Sequence, residues 1–128
     1  EIAKDKYTGD EELLNNNEEL FFDFYSGRYF NSTQDKVMMA LYEVNRRMVT
    51  ENVVTLNELY DLLGLETKPE YEQLGWGACM LSEMYWSQWI DFGLEKTVIE
   101  EETEYSEGVE CTILHMPMEP IVDYDPGW

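Results

Sequence analysis

Apolar residues recur along the chain with two different periods. Over residues 33–50 they recur at spacings of three and four, a stripe that includes Val37, Leu41 and Val44, which predicts one amphipathic helix. Over residues 90–95 apolar and polar residues alternate, and the later segment "VECTILHM" is rich in strand-forming residues. These two segments flank "EEETEYSEG" and predict a long antiparallel hairpin near the C-terminus.

The pattern near residue 20 predicts a shorter hairpin. "ELFFDFY" and "RYF" consist mainly of strand-forming residues and flank the turn Ser26-Gly27. Ser32 lies three residues before Asp35, which indicates a capping-box start for the helix that follows. Arg46 and Arg47 fall near the predicted end of that helix, where cations favour the negative end of the helix dipole.

A second, shorter helix is predicted in "VTLNELYDLLGL". Thr55 and Glu58 have the spacing of a capping box, and Gly64 with Leu65 fits a Schellman C-terminus. After Pro69 the glycines Gly75 and Gly77 interrupt any long element, so residues 70–86 are expected to form an irregular aromatic connection with one helical turn.

The predicted organisation is one α+β domain. Residues 1–18 are polar and are expected to form a linker or arm, and residues 19–128 form the domain with an extended, proline-punctuated C-terminal tail. Within it we expect a short N-terminal hairpin, two helices and a longer C-terminal antiparallel hairpin that together make a small sheet. With 128 residues, 44% of them hydrophobic and 14% aromatic, the chain can bury a single core.

The net charge of -20 narrows the choice of partner. Phosphates of nucleic acids and anionic lipids would be repelled at long range, whereas a basic protein surface would be attracted. We therefore expect a protein partner, and neither direct nucleic-acid binding nor membrane insertion by this segment; the alternative is that the charge serves solubility alone. No stretch reaches the apolar length of a transmembrane helix.

Catalytic and metal chemistry finds little support. Cys111 and His115 lie four residues apart on one predicted strand, about 13 Å at ~3.3 Å per residue, which is too far for a nucleophile and its base. One histidine and two separated cysteines do not supply a zinc site, and Cys111 is expected to be a buried free thiol. A helix-turn-helix is disfavoured because an acidic, proline-containing segment follows the second helix. We expect no enzyme activity and no cofactor.

Acidic residues leave three alternatives open. Asp123 and Asp125 are calcium candidates, although no EF-hand loop is present. A carboxylate pair for catalysis is not singled out among 28 acids. The chain has no Lys or Arg after Lys96, and its next loop is acidic, so this loop either imitates a phosphate track or is simply solvated and protects a strand edge. The candidate contacts in this loop are Glu100, Glu101, Glu102, Glu104 and Glu107.

Four aromatic or basic residues are further candidates for partner contact. Arg28 and Tyr29 belong to the first hairpin, whose role we interpret as mainly structural, with Arg28 paired internally to a carboxylate. Trp76 stands between two glycines and is predicted to be an exposed anchor, with Trp86 nearby in sequence, because Trp is enriched at interface hot spots.

Several motifs in this order resemble a family of uncharacterised phage and prophage proteins of gram-positive bacteria. They are an "SGRYF" hairpin, Asn-Arg in the first helix, "LNELYDLLGL" and a Gly-Trp, and the resemblance covers roughly residues 20–125. The matching positions are Phe24, Tyr25, Ser26, Gly27, Arg28, Tyr29 and Phe30; Asn45 and Arg46; Leu56, Asn57, Glu58, Leu59 and Tyr60; Leu63, Gly64 and Leu65; and Gly75 and Trp76.

This resemblance implies phage origin and a parent protein with hydrophobic segments ahead of the domain, and it implies no catalytic activity. We therefore expect a non-enzymatic phage accessory domain that mediates protein–protein interaction in the host cytoplasm. Its parent would be held at the inner face of the host membrane. The alternative is an acidic, DNA-mimic-like inhibitor of a host nucleic-acid-binding or defence protein.

Overall fold

The structure is a computed structural model that describes residues 18–99, 109–122 and 124. The described strands are β1 (Glu19–Asp23), β2 (Arg28–Ser32), β3 (Val53–Thr55), β4 (Gly75–Gly77), β5 (Gly93–Ile99) and β6 (Val109–His115). The described helices are α1 (Gln34–Glu51), α2 (Leu56–Leu63) and α3 (Ala78–Tyr85), with a 3-10 helix at Pro69–Gln73. The chain is α+β, as predicted. The predicted linker, apart from residue 18, lies outside the described residues.

Both predicted hairpins are present, and they join into one sheet. The described strands of this sheet have the order β2-β1-β6-β5. β1 pairs antiparallel with β2, β5 pairs antiparallel with β6, and β1 runs parallel to β6 with Phe21 opposite Thr112. The alternation at residues 90–95 predicts a strand that starts too early, because β5 begins only at Gly93. The acidic loop of the long hairpin lies outside the described residues.

Local capping signals set the ends of α1 and α2. Thr33, and not Ser32 as predicted, caps α1, and its side chain accepts a hydrogen bond from the Lys36 N–H. The capping box of Thr55 and Glu58 on α2 is confirmed, and Gly64 ends this helix in the left-handed conformation at φ 84°. No helix in the described part of the chain is long and apolar enough to span a membrane.

The connection after Pro69 is more regular than predicted. β4 forms a two-stranded antiparallel sheet with β3, and α3 follows β4 at once with eight residues. A Cβ on Gly77 would overlap the backbone carbonyl of Tyr124, and a Cβ on Gly75 would overlap that of Val54. These glycines therefore allow close backbone packing, whereas the sequence pattern predicts that they interrupt an element.

The core lies between the four-stranded sheet and the helices. Phe21 and Leu114 project from the sheet, Val37 and Val44 from α1, and all four are fully buried. Leu59 and Trp76 belong to the same cluster, which ties the smaller sheet and α2 to the larger sheet.

Arg46 and Arg47 do not lie in the last turn of α1, which contains no basic residue among its described positions. Both bind Glu43 instead, at 2.8 and 2.9 Å, and Arg47 also binds Glu58 on α2 at 3.0 Å. The predicted interaction with the helix dipole is therefore replaced by a charge network that connects α1 with α2.

Candidate partner-binding surface

α3 ends by presenting a tryptophan to solvent. Trp86 follows the helix with φ 55° and ψ 39°, the left-handed conformation, and is 92% exposed. An L-residue in this conformation costs roughly 1–2 kcal/mol, and glycine is the usual residue at such a helix end. The Trp86 indole regains little of that energy by packing because it is almost entirely exposed. Strained residues cluster at functional sites, so Trp86 is a candidate for partner contact.

Two more exposed apolar side chains lie close in sequence to Trp86. Met84 and Trp89 are each 53% exposed. We call Met84, Trp86 and Trp89 the Trp86 surface. Contiguous exposed apolar patches mark interaction sites, so this short run of exposed residues is a candidate for partner contact.

The segment that carries the Trp86 surface is fixed by hydrogen bonds. The Ser87 hydroxyl donates to the Trp89 carbonyl at 2.9 Å and accepts from the Trp89 N–H at 3.0 Å. The Asn45 amide on α1 binds both backbone groups of Ile90, at 2.7 and 3.0 Å. Ile90 itself is buried. A prearranged anchor loses less conformational entropy on binding than a mobile one.

Acidic residues accompany the Trp86 surface. Glu83 and Asp91 are exposed on either side of it in sequence. The Cys79 thiol donates to the Glu83 carboxylate at 3.4 Å, and this contact raises the pKa of Cys79. Cys79 is therefore a poor nucleophile, since the thiolate is the reactive form.

Trp76 is not an exposed anchor, and that prediction is wrong. It belongs to β4, is fully buried, and its indole N–H donates to the Met118 carbonyl at 2.6 Å. Its ring also meets that of Phe92 edge-on at 5.9 Å. The flanking glycines bring neighbouring backbone close around the ring, so Trp76 is unavailable to a partner.

The first hairpin places Arg28 inside and Tyr29 outside. The Arg28 Nε donates to Ser26 at 3.0 Å and its Nη1 donates to the Glu66 carbonyl at 2.7 Å, so Arg28 connects the hairpin with the segment after α2. Within the described residues the link from Arg28 to a carboxylate runs through Ser26, whose hydroxyl accepts from Arg28 and donates to Asp23. Tyr29 is exposed, with its ring centroid 4.7 Å from that of Phe22.

A buried polar cluster lies behind this turn, and no pattern in the sequence indicates it. Asp23 is fully buried, and its Oδ2 accepts from the Ser26 hydroxyl at 2.6 Å. The Arg28 guanidinium lies 4.8 Å from the centre of the Tyr60 ring. Burial, and then the nearby Asp23 carboxylate, raise the pKa of Tyr60. The cluster joins β1, β2 and α2 and has a structural role.

The remaining candidates for catalysis, metal binding and partner contact lie apart from one another or outside the described residues. Cys111 is buried, and burial raises the pKa of its thiol. His115 instead contacts Glu95 across the strands at 2.8 Å. In the described ranges no group of three or more His, Cys, Asp or Glu side chains is placed to hold a metal ion. The predicted acidic contacts and the calcium candidates lie outside the described residues: Glu100, Glu101, Glu102, Glu104, Glu107, Asp123 and Asp125.

These features define an α+β domain that exposes a methionine and two tryptophans within residues 84–89. The chain matches the family of unknown function DUF6353 over residues 1–125, and it belongs to that family. No curated protein and no solved structure matches it.

Proposed function

We propose that this domain is a non-enzymatic protein-interaction module that docks onto a partner protein through the Trp86 surface. The observation that supports this most strongly is the 92% exposure of Trp86 in a strained left-handed conformation. Tryptophan is the residue type most enriched at interface hot spots, and the fixed 86–90 segment reduces the entropy lost on docking.

The partner surface that fits is an apolar pocket with basic residues at its rim. The chain carries a net charge of -20, so a basic protein would be attracted over long distances and an acidic one repelled. We extend the proposal to a phage-encoded accessory protein in the host cytoplasm, with its parent at the inner face of the host membrane. This extension rests on the motif resemblance alone.

A capture experiment with matched variants tests the proposal. The immobilised wild-type domain and the Trp86→Ser and Phe24→Ser variants are incubated with host lysate, with and without phage infection, and bound proteins are eluted first at low and then at high salt. Phe24 is also a largely exposed aromatic residue but lies in the β1–β2 turn, so it serves as the control.

We expect to capture a protein that stays bound to the wild-type domain and to Phe24→Ser at high salt but does not bind to Trp86→Ser. Calorimetry with the purified partner should then show an affinity loss of about 30-fold or more for Trp86→Ser, the effect of a hot-spot residue. Equal binding by wild type and Trp86→Ser would contradict the proposal. Capture of a nucleic-acid-handling protein that elutes as salt screens the charges would favour the acidic inhibitor instead.

A further inference from the structure

β2 is an outer strand of the described four-stranded sheet, and its own sequence lacks the usual protection against pairing. Within the described sheet its only neighbour is β1. Natural edge strands are commonly blocked by Lys, Pro or a bulge. β2 reads "RYFNS", contains no Lys or Pro and pairs with β1 in continuous register, and its half-buried Arg28 side chain is bonded to the Glu66 carbonyl. The opposite edge, β5, carries exposed Glu95 and Lys96.

A groove of about 800 Å³ lies beside this edge. Its walls are β2 from Phe30 to Ser32, the first half of α1 and the end of α2 at residues 61–64. Phe30 stacks on the core residue Phe21 at 5.4 Å, so it faces the same side of the sheet as the helices. A strand added next to β2 would point alternate side chains into the groove, because side chains alternate between the faces of a sheet.

The helical wall of the groove exposes apolar surface. Met39 is 70% and Tyr42 69% exposed, one turn apart on α1, and both line the groove. Methionine adapts to different apolar partners, and tyrosine is enriched at interfaces. This wall can therefore take apolar side chains of an added strand.

The charges decide which occupant fits. The groove itself carries little net charge, since Lys36 balances Asp61 and Glu43 is bound by Arg46 and Arg47, so it suits apolar side chains, and the sign of the occupant is set by the charge of the whole chain. A second copy of the chain would bring another net charge of -20 to this edge and would be repelled. The occupant that fits is an extended, net basic segment of a different protein.

We propose that β2 and the groove beside it form a docking site for an extended peptide in which apolar residues alternate with basic ones. The peptide pairs with β2 through backbone hydrogen bonds and places its apolar side chains against Met39 and Tyr42. This is β-strand addition, a recurrent mode of peptide recognition. The site uses residues other than the Trp86 surface, so it gives the domain a second, independent contact.

The test uses a fluorescein-labelled ten-residue peptide in which valine and lysine alternate, titrated with the whole chain and followed by fluorescence anisotropy. One control peptide has methylated amide nitrogens at every second residue, which removes donors along one peptide edge. A second control peptide has glutamate in place of lysine. Amide NMR spectra locate the bound peptide on the protein.

The variants are Met39→Gln and Tyr42→Gln, with Met38→Gln as the matched control. Met38 is 53% exposed on the same helix but does not line the groove. All three replacements preserve helix propensity and remove exposed side chains, so melting temperatures should stay close to that of wild type.

We expect the valine–lysine peptide to shift the amides of residues 28–32 and to bind at least 10-fold more tightly than either control peptide. Met39→Gln and Tyr42→Gln should each weaken binding at least 5-fold, whereas Met38→Gln and Trp86→Ser should not change it. No binding at millimolar peptide, unchanged binding by both groove variants, or self-association of the free chain through β2 would overturn the proposal. Retained peptide binding by Trp86→Ser separates this site from the one proposed above.

Discussion

The indole N–H of Trp76 donates a 2.6 Å hydrogen bond to the carbonyl of Met118, and both residues are buried. This bond ties β4 to the segment after β6, which are far apart in sequence. Two backbone hydrogen bonds reinforce the connection. The Gly75 N–H donates to the Ile121 carbonyl at 3.1 Å, and the Ile121 N–H donates to the Gly75 carbonyl at 2.9 Å. The segment after β6 is thereby held against the smaller sheet.

Trp76→Phe should therefore destabilise the fold strongly. The change leaves the buried Met118 carbonyl without its donor and opens a cavity, so we expect a loss of about 3 kcal/mol in the free energy of unfolding. Urea denaturation followed by circular dichroism measures this loss. Trp89→Phe, at an exposed position, is the control and should change the free energy by less than about 0.5 kcal/mol. A similar small change for Trp76→Phe would contradict the assigned hydrogen bond.

Elements with signals inside a few residues could be predicted from the sequence. The capping box of Thr55 and Glu58 spans one helical turn, so α2 was predicted with its correct start. The β1–β2 turn at Ser26-Gly27 is equally local, and Gly27 adopts φ 74°. Such signals depend only on neighbouring residues and do not need the rest of the fold.

Features that depend on distant contacts could not be predicted in this way. "GWG" resembles an exposed loop until the backbone of Tyr124 is known to lie against Gly77. The parallel pairing of β1 with β6 also joins segments that are far apart in sequence, so it has no local signal. The Trp86 surface was predicted only in part, because Trp86 was a candidate but its left-handed backbone and the exposure of Trp89 have no sequence signal.

The buried turn cluster predicts a cost for a small substitution. Ser26→Ala removes the hydroxyl that donates to Asp23 and accepts from Arg28, so a buried carboxylate and a guanidinium N–H each lose a partner. We expect a loss of about 2 kcal/mol in the free energy of unfolding, in the range for hydrogen bonds to charged groups. Ser82→Ala, on the exposed side of α3, is the control. If both variants unfold at the same urea concentration as wild type, the cluster does not stabilise the fold.

The Glu43 network predicts a specific dependence on pH. Hydrogen bonds from Arg46 and then Arg47 lower the pKa of Glu43 to about 2, from 4.5. Because the pKa is lower in the folded state, the stabilising contribution is complete above pH 4.5 and is lost as the pH falls toward 2.

Melting temperatures of wild type and Glu43→Gln, measured from pH 7 to pH 2, test this prediction. The difference between the two proteins should be constant above about pH 5, shrink below it and approach zero near pH 2. Taking the difference removes the contribution of the other acids, which titrate in both proteins. A difference that is independent of pH would show that Glu43 gains nothing from the two arginines. High salt should weaken the effect, since these side chains are partly exposed.

The strained conformation of Trp86 predicts a substitution that improves stability while it removes function. Trp86→Gly releases the left-handed strain and removes an indole that is 92% exposed, so little packing is lost. After the greater freedom of glycine in the unfolded chain is included, we expect a gain of about 0.5–1 kcal/mol in the free energy of unfolding.

Trp89→Gly is the matched control. Because Trp89 does not have a positive φ, this change releases no strain and should lower the free energy of unfolding by about 0.5–1 kcal/mol. Urea unfolding of the three proteins gives the order Trp86→Gly, wild type, Trp89→Gly. If Trp86→Gly is more stable than wild type and no longer captures the partner, the tryptophan lowers stability and is kept for binding. If Trp86→Gly is less stable than wild type, the indole supports the fold.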